Sequence, residues 1–149
     1  MIAVCASYSS QLTIDLNAVR ANYVAISSHV APAKCGVVLK ADAYGLGAGE
    51  VAKALVEEGC QHFFVAHLSE AFLLFETVGP GNRIFILNGL EPGCEPACAH
   101  WGFIPVLNSS SQIKRWRTLA KHKGHALVAA VQIDTGMSRL GIDVETATM

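Results

Sequence analysis

The sequence lacks a net charge of either sign. Eleven Lys and Arg stand against twelve Asp and Glu in 149 residues, a formal charge of -1. So nearly neutral a chain generates no overall field to recruit nucleic acid or an anionic membrane, and partners of both kinds are disfavoured. It also lacks any apolar run approaching the roughly eighteen residues needed to span a bilayer, and residues 1–11 (MIAVCASYSSQ) lack the basic n-region of a secretory signal. The expectation is a cytoplasmic protein. An even cysteine set is missing as well: Cys5, Cys35, Cys60, Cys94 and Cys98 are odd in number and scattered, which suits reduced thiols rather than a disulfide framework. Cys94, Cys98 and His100 alone cluster, but a structural zinc wants four ligands and no second pair lies nearby. They read as ordinary residues on a short helix or loop, and no metal is expected.

What is present is apolar content, 52% hydrophobic against 15% charged, enough for one globular unit with a core. The pattern alternates along the chain. After extended Thr13 to Leu16, residues Leu16, Val19, Tyr23, Ile26 and Val30 keep helical spacing, with Asp15 or Asn17 as cap. Gly36 to Lys40 (GVVLK) is a short apolar run of the kind covered on both faces, followed by a glycine-rich turn and the helical GEVAKALVEEG. HFFVAHL predicts a second strand, and Ser69 is placed to cap a helix that Gly79 and Pro80 stop. RIFILNG and FIPVL predict the next two strands, with a loop rich in Pro and Gly between them. Ser109, Ser110 and Ser111 cap a helix carrying Ile113, Trp116 and Leu119, which ends at Lys121, Lys123 and Gly124. Its Lys114, Arg115 and Arg117 read as a solvated face, not a nucleic-acid patch. ALVAAVQID predicts a fifth buried strand, TGMSRLG a turn, and DVETATM the start of a helix. Such alternation implies an α/β fold of parallel βα units, either an open doubly wound sheet or part of an eight-stranded barrel.

In either architecture ligands bind at the carboxyl ends of the strands. Lys40 ends the first apolar run there, in a partly dry position where an amine can act as nucleophile or base, although lysines at strand ends commonly just point into water. Gly45, Gly47 and Gly49 are similar to a dinucleotide-binding turn, but Glu50 stands where the third glycine of that motif is wanted and would repel a phosphate. In the later segment, Asp134 and Thr135 are suited to shape a turn through side-chain to backbone hydrogen bonds, and Arg139 taken alone reads as a surface residue. The six histidines have no motif behind them.

Together, VVLKADAYGLG (37–47) resembles the cofactor-lysine motif of the alanine racemases, and IDTGMSRLG (133–141) resembles that family's second hallmark. The resemblance extends over residues 11 to 142. It implies pyridoxal 5'-phosphate chemistry on a TIM-type (β/α)8 barrel, interconversion of L- and D-alanine, and D-alanine supply for peptidoglycan. It makes Lys40 the internal Schiff-base lysine and one of two bases at the substrate α-carbon. Tyr44 corresponds to the tyrosine that helps hold the cofactor phosphate. Arg139 corresponds to the arginine that hydrogen-bonds the cofactor's phenolic oxygen and lies close to the substrate carboxylate. The cofactor is the electron sink, while the protein supplies orientation and charge. Asp42 and Asp134 are taken as structural within their motifs, and Met137 as packing.

One departure stands out. Seven residues before Arg139, where many members carry a carbamylated lysine whose anionic end faces the arginine, this chain has Gln132. Glutamine can accept a hydrogen bond but brings no charge, so Arg139 needs another counter-anion, such as a halide or a carboxylate, or is left more electropositive.

The resemblance also implies a longer protein: the barrel alone takes ~250 residues, and the family adds a β-rich C-terminal domain whose tyrosine is the opposite base across a homodimer interface. The ring-stacking histidine, the arginine at the pyridine nitrogen and most of the phosphate loop belong to later strands. Residues 1–149 therefore read as the N-terminal portion, about five of the eight strands, with 1–11 a flexible or extended lead. Such a chain is expected to be inactive alone and to associate through its unpaired GVVLK and ALVAAVQI edges. The alternatives are a racemase of broader specificity and a small non-catalytic pyridoxal phosphate-binding protein, although the latter proteins lack the YGLG and GMSRLG combination.

Overall fold

Strand pairing decides between the two architectures. The computed structural model describes residues 12–147, so the expected N-terminal lead, 1–11, lies outside the described residues. In chain order the elements are α1 (Leu16–Val30), β1 (Val37–Val38), α2 (Lys40–Gly45), α3 (Ala48–Glu57), β2 (His62–Val65), α4 (Leu68–Val78), β3 (Arg83–Ile86), α5 (Glu95–Trp101), β4 (Ile104–Leu107), α6 (Ser110–Lys123), β5 (Ala130–Val131) and α7 (Val144–Ala147). The five strands are parallel and neighbour one another in order of sequence, β1-β2-β3-β4-β5. A doubly wound sheet reverses its order at a switch point; this one never does. Side chains of α3, α4, α5 and α6 form one buried cluster with Phe63, Val65, Ile84, Ile86 and Leu107, and Leu16, Val19 and Tyr23 of α1 pack against it. A sheet wound in sequence order with its helices on one face is a barrel wall.

The helix ends largely follow the reading of the sequence. Asp15 caps α1, its carboxylate accepting from the Asn17 and Ala18 amides at 2.9 and 3.2 Å. The Ser109 hydroxyl accepts from Gln112 N–H at 3.3 Å at the start of α6, and Gly124 ends that helix in the left-handed conformation. Trp116, expected on its buried side, is 4% exposed.

Five expectations need correction. Ser69 is not the cap of α4, which begins at Leu68 with His67 at the N-cap position. The second strand stops at Val65 because the Ala66 and His67 amides turn to the carboxylate of Glu70. The segment between β3 and β4 is not all loop: Pro96 sits in the first turn of α5 and Gly102 closes it, with Cys98 fully buried and its thiol 3.4 Å from the Phe103 carbonyl. Nor is β1 covered on both faces, Val38 being 39% exposed, although β4 is buried at all four positions. Burial alternates along β2 and β3, and the face away from the helices carries half-buried His62, Phe64 and Phe85, with Phe64 stacked on Phe85 at 4.5 Å. A barrel interior is filled by side chains from all its strands, and five supply only part of that filling. Finally, ALVAAVQID is no fully buried strand. Only Ala130 and Val131 pair with β4, opposite Val106 and Leu107, and Val131 is 51% exposed because β5 has a strand neighbour on one side only among the described residues.

Candidate active site

The first motif folds into a turn that L-residues rarely adopt. The Leu39 amide donates to the Phe64 carbonyl at 2.8 Å, which ends β1 against β2 with Leu39 buried and Lys40 half-buried beyond it. Ala41, Asp42, Ala43 and Tyr44 then follow at φ of 51°, 54°, 54° and 57°, so α2 is a left-handed turn. For residues with a Cβ this conformation costs roughly 1–2 kcal/mol each, so the turn persists only where its surroundings hold it. Ala43 N–H reaches the Leu39 carbonyl at 2.9 Å, and buried Ala43 pins the turn to the core. Asp42 accepts from Ala48 N–H at 2.7 Å and so caps α3, the structural role expected of it. Gly47, at φ 89° after right-handed Leu46, makes the bend into α3, which gives this glycine a conformational purpose without any pyrophosphate. The Lys40 Nζ lies 5.9 Å from the centroid of the Tyr44 ring, and Tyr44 is 63% exposed. None of the ion pairs among the described residues involves Lys40.

The second motif closes on itself. Ile133 and Ile142 form a parallel bridge, Asp134 N–H donating to the Ile142 carbonyl at 2.8 Å and Ile142 N–H to the Gln132 carbonyl at 2.9 Å. Inside that closure one Asp134 oxygen accepts from the Gly136 and Ser138 amides, both at 3.0 Å. These donors, Ser138 foremost, hold its carboxyl below the usual aspartate range. Gly141 is obligatory here: its φ is 113°, and a Cβ would come within 2.8 Å of the Asp134 nitrogen. The Gln132 side-chain amide donates to the Leu140 carbonyl at 3.1 Å, bracing the residue next to Arg139. Arg139 itself is exposed and belongs to none of the ion pairs among the described residues. Lys40 and Arg139 thus stand on the rim formed by the carboxyl ends of the strands, at the first and fifth strands of the wall.

Other groups on this rim escaped the reading of the sequence. Glu70 accepts three backbone N–H groups, one of them that of Ala41 beside Lys40. The familiar sequence signature of such a carboxylate needs Ser or Thr three residues earlier, and His67 stands there. Asn108, just past β4, is 6% exposed and donates to the Leu87 and Val106 carbonyls, while its Oδ1 has no hydrogen-bond partner among the described residues. Its place directly after FIPVL was the available signal. A cleft of about 610 Å³ opens over the ends of β2, β3 and β4, among His67, Asn88, Ser109, Gln112 and Arg115, and neither Lys40 nor Arg139 lines it.

A family model described as alanine racemase, N-terminal domain, matches residues 14–149. The chain belongs to the alanine racemase family. It is 53% identical over 134 residues to the alanine racemase of Brucella ovis, an alignment that takes in 90% of this chain and 34% of that protein. It therefore spans about a third of the length of the curated relatives it matches. The fold overlays on the crystal structure of the alanine racemase from Bartonella henselae with covalently bound pyridoxal phosphate, at TM-score 0.86 and 45% identity, covering 89% of this chain and 38% of that one. This wall of five strands is accordingly the N-terminal part of an alanine racemase TIM barrel. A histidine racemase from Leuconostoc mesenteroides shares the same portion at TM-score 0.76 and 26% identity, covering 86% of this chain and 34% of that one.

Proposed function

We propose that residues 1–149 supply the N-terminal part of a pyridoxal 5'-phosphate-dependent isomerase that interconverts L- and D-alanine. The observation that carries this reading is Lys40: a half-buried amine at a strand end, on a left-handed turn held by its neighbours, outside any ion pair among the described residues. A group bearing an aldehyde, a phosphate and a phenolic oxygen asks for an amine, a hydroxyl donor and a cation. Lys40, the exposed Tyr44 phenol and exposed Arg139 are that set, and the residues present fit the cofactor.

When bound, pyridoxal phosphate supplies the electron sink for negative charge at the substrate α-carbon. Lys40 attaches it and, once released, takes or returns a proton at one face of that carbon. Tyr44 donates its hydroxyl hydrogen bond to the phosphate. Arg139 presents guanidinium N–H groups to the phenolic oxygen and the substrate carboxylate. Gln132 adds no negative charge beside the arginine; its amide instead holds the Leu140 carbonyl. The opposite base comes from outside these 149 residues, in a homodimer.

The same reading places the protein in the cytoplasm, making D-alanine for the cell wall; no helix among the described residues is long and apolar enough to cross a membrane. The test is D-alanine formation from L-alanine by the complete gene product with added cofactor, run beside L-histidine because a histidine racemase shares this wall. Faster turnover of histidine would move the substrate assignment. Bound cofactor with no racemisation of any amino acid would make the protein a non-catalytic binder. The 149-residue chain alone, with one of the two bases, is expected to show no turnover.

A further inference from the structure

We infer that Glu70 is a positioning residue for Lys40, an inference that rests on Lys40 being the cofactor lysine. Three N–H groups converge on its carboxylate: Ala41 on Oε1 at 2.7 Å, and Ala66 and His67 on Oε2 at 2.6 and 2.9 Å. The Ala41 nitrogen belongs to the peptide unit that also contains the Lys40 carbonyl, so this bond fixes the backbone rotation by which Lys40 enters the left-handed turn. The other two donors follow β2 and open α4. One side chain, 29 residues from Ala41 in sequence, thereby ties the Lys40 peptide to the end of the neighbouring strand.

The turn's own bonds, from Ala43 N–H to the Leu39 carbonyl and from Ala48 N–H to Asp42, do not take up the Ala41 amide, which Glu70 holds. Four consecutive residues with side chains sit in the left-handed region, each uphill of the right-handed alternative. Released at Ala41, the turn can relax, and the Cα–Cβ direction of Lys40 turns with it. A carboxylate suits three donors because both of its oxygens accept, whereas a glutamine would set its own NH2 against one of the amides. Burial pushes the Glu70 carboxyl up, but the amides of His67, Ala41 and Ala66 and the nearby His67 ring outweigh it, leaving the acid stronger than an ordinary glutamate. The group is ionised, as three donors require.

The test compares the complete gene product with its Glu70→Asp and Glu70→Gln variants. Three quantities are read: hydrogen exchange of the Ala41 amide, the melting temperature, and the ratio of borohydride-trapped pyridoxal phosphate on Lys40 to that on Lys53. Glu70→Asp keeps the charge at the start of α4 but is one methylene short of Ala41. It is expected to melt close to wild type while Ala41 exchange rises and the Lys40:Lys53 ratio falls, each by about tenfold. Glu70→Gln should move both further. A merely structural role would lower the melting temperature and leave the labelling ratio alone. Wild-type Ala41 protection in both variants, or an unchanged ratio in variants that fold, would overturn the inference. No label on Lys40 in the wild-type protein would instead overturn the cofactor reading on which it rests, so the two failures are distinguishable.

Discussion

The turn that follows β1 and the loop that follows β5 each present one cation at the same rim, and they are built in opposite ways. The Lys40 turn is strained, with four non-glycine residues at positive φ, and beside its local bonds the peptide next to Lys40 is tied by Glu70 on another element. The Arg139 loop has one such residue besides its glycines, Ser138, and is held from within: Asp134 bonds amides two and four positions on, and the loop ends pair with each other. The lesson concerns what each cation depends on. Lys40 depends in part on a contact with α4, whereas Arg139 depends on its own few neighbours at an exposed edge.

The largest effect should come from removing the better-anchored cation. Lys40→Ala in the complete gene product is expected to lower D-alanine formation by about a thousandfold or more, with a thermal melt like that of wild type, since a half-buried side chain outside the ion pairs is all that is lost. Undiminished turnover would detach the chemistry from this turn. On the other side of the comparison, Gly141→Ala meets both a φ of 113° and a 2.8 Å approach to the Asp134 nitrogen. It should destabilise the closed loop by ~1–3 kcal/mol, seen as fast exchange at Ser138 while the Ala41 amide stays protected. Joint loss of protection would show that the two regions are not independent.

Acid should loosen both regions, through carboxylates of different reach. Glu70 and Asp134 are each held below their ordinary range in the folded protein. For a carboxyl group so depressed, stability is fully present above the unfolded value, near pH 4, and is lost as pH falls through the lower folded value. Protection of the Ala41 and Ser138 amides, taken relative to the intrinsic exchange rate at each pH, should persist through pH 5 and be lost below 4. Protection lost on raising the pH instead would reverse the sign of the argument.

Much of this architecture was legible. The apolar runs GVVLK, HFFVAHL, RIFILNG and FIPVL alternate with helical spacing, and parallel βα units follow from that alternation. The element pattern alone left an open sheet and a barrel both possible, because it carries no information on which strand neighbours which; the resemblance of the two motifs implied the barrel, and pairing in sequence order agrees with it. The left-handed turn was hidden for a related reason. Ala, Asp, Ala and Tyr have no common preference for positive φ, and the conformation is imposed by contacts with Leu39, Ala48 and Glu70. In the second motif Asp134 was legible as a turn former, since its partners lie within four residues. The long ALVAAVQID run misled, because hydrophobicity reports that a face is to be covered but not which strands cover it.

The smallest expected effect is none at all. With Gln132 donating to the Leu140 carbonyl and carrying no amine to carbamylate, activity of the complete gene product should not depend on bicarbonate. Inactivation on its removal would mean that a carbamylated lysine faces Arg139 from elsewhere, and that the second motif is in the wrong register.

The central claim is that the chemistry is attached at the strained turn after β1, and chemical trapping tests it most directly. The protein loaded with pyridoxal phosphate is reduced with borohydride, digested and mapped by mass spectrometry. The account predicts the reduced pyridoxyl group on Lys40; a label on Lys34 or Lys53 with Lys40 unmodified would contradict it.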